Sequence, residues 1–115
     1  MNPRELRIGN LLQDCVSKVP YEVTHNTFSS LVAYIEEEKE YPLEPIPLTE
    51  EWLWKFGFED RLKNINDLEF SISIENKALF IFQYNEPKGL YFDIEFVHQL
   101  QNLYFALTAE ELTIK

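Results

Sequence analysis

The sequence predicts an α+β fold: one domain, residues 1–115, with an antiparallel sheet of about five strands packed against a main C-terminal helix. Three observations predict it. Residues 69–94 hold runs of alternating or continuous apolar side chains separated by turn residues. Residues 95–107 repeat apolar side chains at helical spacing. Residues 49–56 carry both the start and the stop signals of a short helix.

The elements follow in chain order. Leu6, Ile8 and Leu11-Leu12 are punctuated by Gly9-Asn10 and read as short extended pieces. Tyr21, Val23 and His25 alternate with Glu22 and Thr24, the pattern of a half-buried strand. Asn26-Thr27 offers a turn, and Phe28 to Ile35 reads as a second strand. Residues 1–35 are therefore a β hairpin region, which either extends the sheet or forms a small barrel-like layer beside it. Residues 36–48 combine Glu36-Glu37-Glu38-Lys39-Glu40 with Pro42, Pro45 and Pro47. Proline lacks a backbone donor and disfavours helix before it, so this stretch reads as an acidic, extended connector.

The helix at 49–56 is the best signalled. Thr49 is a natural N-cap, and Glu50 and Glu51 suit the positive end of the helix dipole. Leu48 and Leu53 occupy the positions of a hydrophobic staple. Gly57 suits a left-handed ending, with Phe58 placed to touch Leu53.

Within the meander, Phe70, Ile72 and Ile74 alternate with serines, and Asn76-Lys77 turns the chain. Ala78 to Phe82 is nearly all apolar, as a central strand would be. Asn85 to Gly89 reads as a second turn cluster, followed by Leu90, Phe92 and Ile94. In the helix at 95–107, Phe96, Val97, Leu100, Leu103, Tyr104 and Leu107 fall in one stripe at about 100° per residue. Glu110 to Lys115 is a tail or a short strand.

Composition narrows the function classes. An apolar fraction of 45% and an aromatic fraction of 15% supply a core and exclude a disordered chain. The single Cys15 excludes an intrachain disulfide and a Cys-rich zinc site, and fits a reducing compartment. Met1 to Glu5 is not followed by the apolar stretch of a secretory signal. No apolar run approaches the roughly 20 residues of a membrane-spanning helix. A cytoplasmic protein is expected.

The formal charge of −10 is uneven. Residues 1–35 balance to zero, residues 36–60 carry nine acids against Lys39 and Lys55, and the rest contributes −3. Binding to a phosphate backbone needs clustered Lys and Arg, and none is present. Direct contact with nucleic acid or an anionic membrane is not expected.

Three strings stand together in order: Glu5-Leu6-Arg7-Ile8-Gly9-Asn10; Pro45-Ile46-Pro47-Leu48-Thr49-Glu50-Glu51-Trp52-Leu53 with Phe56-Gly57-Phe58; and Val97 to Thr108 with Glu110-Glu111-Leu112. In these the chain resembles an uncharacterised family of small proteins from gut bacteria and their phages and mobile elements. The resemblance covers both ends and the centre, while members differ over residues 11–44. It implies a bacterial or phage origin and brings no activity, cofactor or catalytic residue. Relatives often place Gly after the Thr that ends the last helix, where this chain has Ala109. Alanine disfavours the left-handed conformation, so a different helix ending is expected here.

Candidate functional residues lie on the two helices. His98, Gln101, Asn102 and Phe105 cluster opposite the apolar stripe, and no Lys, Arg, Asp or Glu falls between Phe96 and Ala109. Such a face is either a protein interface, with Phe105 as aromatic anchor, or is covered within its own domain by the N-terminal hairpin. Trp54 points about 150° away from the Trp52, Leu53 and Phe56 face. It is either an exposed interface anchor or a plug beneath the proline connector, and the plug is favoured.

Cys15, His25 and His98 are the only candidates for a Cys-His nucleophile pair. No orienting acid or oxyanion-type Gly motif accompanies them, so Cys15 is read as a small buried apolar group. No metal site and no cofactor are expected. The acidic residues Glu36, Glu37, Glu38, Glu40, Glu44, Glu50, Glu51, Glu59 and Asp60 serve solubility, or form a face that mimics phosphate charge.

The function expected from these observations is a non-enzymatic protein-binding or accessory protein, acting on a protein partner or by self-association, for instance as a homodimer. The alternative is an acidic inhibitor of a basic nucleic-acid-binding enzyme. An enzyme comes third, for want of convergent titratable groups.

Overall fold

A computed structural model describes residues 6–36, 42–65, 67–112 and 114. Ten elements follow along these residues: β1 (Leu11–Asp14), β2 (Pro20–Glu22), α1 (His25–Glu36), β3 (Leu43–Pro45), α2 (Glu50–Lys55), β4 (Leu62–Ile65), β5 (Leu68–Ser73), β6 (Ala78–Gln83), β7 (Glu86–Tyr91) and α3 (Val97–Thr108). The fold is α+β, with the last helix near the C-terminus, as the sequence predicts. The strands form two antiparallel sheets, ordered β2-β1-β3 and β4-β5-β6-β7. The N-terminal hairpin thus builds a sheet of its own and does not extend the meander. The chain divides into two compact units: Met1–Pro47 with Phe96–Glu110, and Leu48–Glu95 with Glu111–Lys115.

In the first unit, β1 pairs with β2 through Leu11↔Glu22 and Leu12↔Tyr21, and with β3 through Leu12↔Pro45. The hairpin loop is shaped by Asp14, whose Oδ1 accepts the N–H groups of Val16 and Ser17, each at 2.8 Å. Those two donors hold the Asp14 carboxyl below its usual range, Ser17 contributing most. Glu44 on β3 accepts from the Lys18 ammonium and, at 2.8 Å, from the Gln13 amide. The Lys18 hydrogen bond is the main reason its carboxyl titrates low. Leu6, Leu12 and Val23 form a buried cluster with Leu43 against it.

Three local expectations are corrected here. Phe28 to Ile35 is not a strand, because it lies inside the 12-residue helix α1. Its start is set by reciprocal bonds: Thr24 Oγ1 accepts the Thr27 N–H at 3.3 Å, and Thr27 Oγ1 accepts the Thr24 N–H at 3.1 Å. This is a capping box with Thr in place of Glu at its third position. His25 accordingly opens a helix and does not close a strand. The connector is only partly a connector, since Leu43–Pro45 pairs as β3. β3 is an edge strand, where proline's missing donor costs no ladder bond. Cys15 is exposed, not buried, because it sits in the loop that leaves β1.

In the second unit, α2 forms as its flanks dictate. Thr49 is the N-cap and its Oγ1 accepts the Trp52 N–H at 3.4 Å. At the other end the Phe58 N–H reaches Leu53 O at 2.9 Å and the Gly57 N–H reaches Trp54 O at 3.0 Å. Gly57 takes φ +90°, so the ending is the Schellman arrangement. Leu48, Trp52, Leu53, Phe56 and Phe58 are buried. Each such side chain contributes roughly 1.5–3 kcal/mol.

The four-stranded sheet puts Phe70 and Ile72 of β5 and Leu79 and Ile81 of β6 on its buried face, paired Phe70↔Ile81 and Ile72↔Leu79. β4, which the sequence pattern did not announce, adds Lys63 to the same face opposite Phe70. The Lys63 Nζ donates to Phe56 O at 2.7 Å, fixing α2 to the sheet edge. Tyr84 and Asn85 both have positive φ and connect Gln83 to Glu86. This two-residue hairpin turn lets the strand begin at Glu86, inside the predicted turn cluster. β7 is an edge strand with Pro87 and a register shift opposite Ile81/Phe82, features that blunt an edge against pairing with other chains.

Candidate functional site

The neutral face of α3 is covered by its own unit. Gln101 is 2% exposed. Its Oε1 accepts the Leu11 N–H at 2.8 Å and its Nε2 donates to Gly9 O at 3.2 Å. Asn102 Oδ1 accepts from Arg7 Nε and from Asn10 Nδ2, both at 2.8 Å. Arg7 also donates to Gln101 O at 3.3 Å, and its guanidinium lies 4.4 Å from the centre of the Phe105 ring. The Gln101 amide thus bonds the backbone of Gly9 and Leu11, and the Asn102 amide bonds the side chains of Arg7 and Asn10. Gly9 turns the chain here: at φ +96° it occupies a conformation other residues resist, and its N–H donates to Val23 O.

Of the two readings of this face, coverage by the N-terminal segment is the one the structure shows, and the outward interface offered for His98 and Gln101 is corrected. Both are buried, and Gln101 is used to lock the N-terminal segment onto the helix. His98 stacks on Phe96, with ring centroids 6.0 Å apart. Asn102 belongs to the same internal network, and Phe105, half exposed, lies against Arg7. His98 and Cys15 contrast as buried and exposed, and His25 is exposed at the start of α1. The helix also ends in the left-handed way despite its alanine: Ala109 has φ 60° and its N–H donates to Phe105 O at 2.8 Å. The expected different ending is corrected.

Trp54 has the opposite fate. It is 73% exposed, so the plug reading is overturned. The neighbouring positions 52, 53 and 56 take up the buried face of α2, which leaves position 54 on the far side. With both ends of the helix capped, the exposed indole stands on a fixed base. Two shallow grooves flank it. One, of about 200 Å³, is lined by Trp54, Lys55, Gly57, Phe58 and Glu59. The other, of about 360 Å³, is lined by Glu50, Leu53, Trp54, Phe58, Asp60 and Arg61.

The charges around Trp54 are unequally satisfied. Arg61 pairs with Glu50 and, at 2.7 Å, with Glu75. These contacts raise the guanidinium's pKa and lower that of Glu75. Lys55 reaches Glu51 at 3.5 Å and lies 4.6 Å from the Trp52 ring. Among the described residues, Glu59 and Asp60 have no cationic partner. They sit on a tight turn in which Asp60 and Arg61 both have positive φ, closed by Glu59 N–H to Leu62 O at 2.8 Å.

The acidic run does not act as one group. Glu37, Glu38 and Glu40 lie outside the described residues, as does the side chain of Glu36. Glu44, Glu50 and Glu51 have basic partners of their own. Among the described residues no group of three or more His, Cys, Asp or Glu is placed to hold a metal, and no helix is long and apolar enough to cross a membrane. Comparison with protein-family models, curated proteins and solved structures finds no match.

The sequence signal for Trp54 was present: an aromatic on the polar side of a short, well-capped helix. The signal for the Arg7–Asn102 network was weaker, because polar amides on a helix face say only that something covers them.

Proposed function

We propose that this chain is a non-enzymatic binding or accessory protein of a bacterium or one of its mobile elements, acting by protein contact through the surface around Trp54. The exposure of Trp54 on a helix fixed at both ends carries the reading. Tryptophan is enriched among residues that dominate binding energy, and a rigid base lowers the entropy lost on association.

The test compares affinity capture by the wild-type chain and by Trp54→Ala, with captured proteins identified and the solution mass measured by light scattering. The reading expects a specific partner, or a self-associated species, that the variant loses. An identical partner set and an identical mass for both chains would overturn it.

A further inference from the structure

We propose that the Trp54 surface takes an arginine-bearing segment of a protein partner, its guanidinium stacked on the indole between Glu59 and Asp60. The proposal rests on the reading that Trp54 is a binding anchor, and it adds the partner's chemistry. Three observations support it.

The first is the accessible ring. Trp54 is 73% exposed, and the nearby cations are committed elsewhere: Lys55 to Glu51 and the Trp52 ring, Arg61 to Glu50 and Glu75. No cation of the described chain sits over its face. Tryptophan is the strongest aromatic acceptor for a cation.

The second is charge complementarity on both sides. One groove beside the indole holds Glu59 and the other holds Asp60, the two local acids without a cationic partner among the described residues. Lys55 and Arg61 line the same grooves but are paired with other acids, and a guanidinium can stack on a ring while its planar fork pairs with a carboxylate. A lysine ammonium satisfies the charge but does not stack.

The third is preorganisation. The indole stands on a capped helix, and the acids stand on a closed two-residue turn anchored by reciprocal Glu59 and Leu62 backbone bonds. Phe58 and Leu53 lie at the base of the grooves but are buried, so the apolar surface offered to a neighbour of the arginine is that of the indole itself.

The experiment selects a random linear peptide library on the full-length chain, with Trp54→Ala in parallel. Because that variant keeps the net charge, peptides held by diffuse charge bind both chains. The peptides that need Trp54 are expected to be rich in arginine beside an apolar residue. Their affinity should fall about tenfold or more in Trp54→Ala and about fivefold in the Glu59→Gln/Asp60→Asn double variant. Added salt should weaken them. Circular dichroism of each variant checks that it is folded. Trp54-dependent peptides no richer in arginine than the library would overturn the proposal and leave the binding surface standing. Recovery of no Trp54-dependent peptide would overturn both.

Discussion

α3 and α2 each carry side chains for which the sequence offers two covers, the chain itself or another molecule. On α3, Gln101 and Asn102 bond to Gly9, Leu11, Arg7 and Asn10, and a charge-free face proves to be an interior one. On α2, with Glu50, Glu51 and Lys55 around it, Trp54 remains in water. The difference teaches how to weigh the two signals. Uncharged polar residues in a row announce coverage, and a short chain supplies that coverage from its own termini. A lone aromatic on an otherwise charged face has no such partner within reach of its own unit's core.

If that contrast is right, variants on α3 disturb stability and variants at Trp54 disturb binding. The largest effect is expected at Gln101. Gln101→Ala leaves the Leu11 N–H and Gly9 C=O without their partner and should cost about 2 kcal/mol in urea unfolding. A cost below about 0.5 kcal/mol, the level of an ordinary surface change, would break the comparison from the α3 side. Thr49→Ala removes the side-chain cap of α2 and should cost about 1 kcal/mol, read as a lowered melting temperature.

Ala109→Gly should stabilise the chain by roughly 0.5–1 kcal/mol, since glycine takes φ 60° without the strain alanine bears. No gain would mean that the ending of α3 relaxes in solution.

A smaller effect appears only in acid. Arg61 lowers the folded pKa of Glu75, so the pair's contribution is present above the ordinary carboxylate range and fades as pH falls through the lowered value. Both carboxylate and guanidinium are exposed, so the effect is modest. Glu75→Gln should flatten the decline of unfolding free energy between about pH 5 and pH 3. Smallest of all on stability is Trp54→Ala, expected within about 0.5 kcal/mol of the wild type while binding is lost.

Much of the fold was legible where local chemistry is self-contained. Thr49, Gly57 and Phe58 specified α2 to the residue, and the β5–β6 alternation specified a buried face. α1 was misread because Phe28 to Ile35 is apolar enough for a strand, and its Thr24–Thr27 cap lacks the acidic residue that usually marks one. β3 was hidden by prolines that an edge position tolerates. At the candidate site, Trp54 was named but assigned to the wrong surrounding, because exposure depends on what a connector covers. The bonds from Arg7 and Asn10 to Asn102 join positions more than 90 residues apart, which no local pattern in the sequence announces.

Acrylamide quenching of the two tryptophans tests the central contrast most directly. The account predicts two classes, one indole quenched nearly as fast as the free amino acid and one strongly protected, with Trp54→Ala removing only the fast class. A single protected class in the wild type at a concentration where light scattering finds it monomeric, or a fast class that survives in Trp54→Ala, would contradict it.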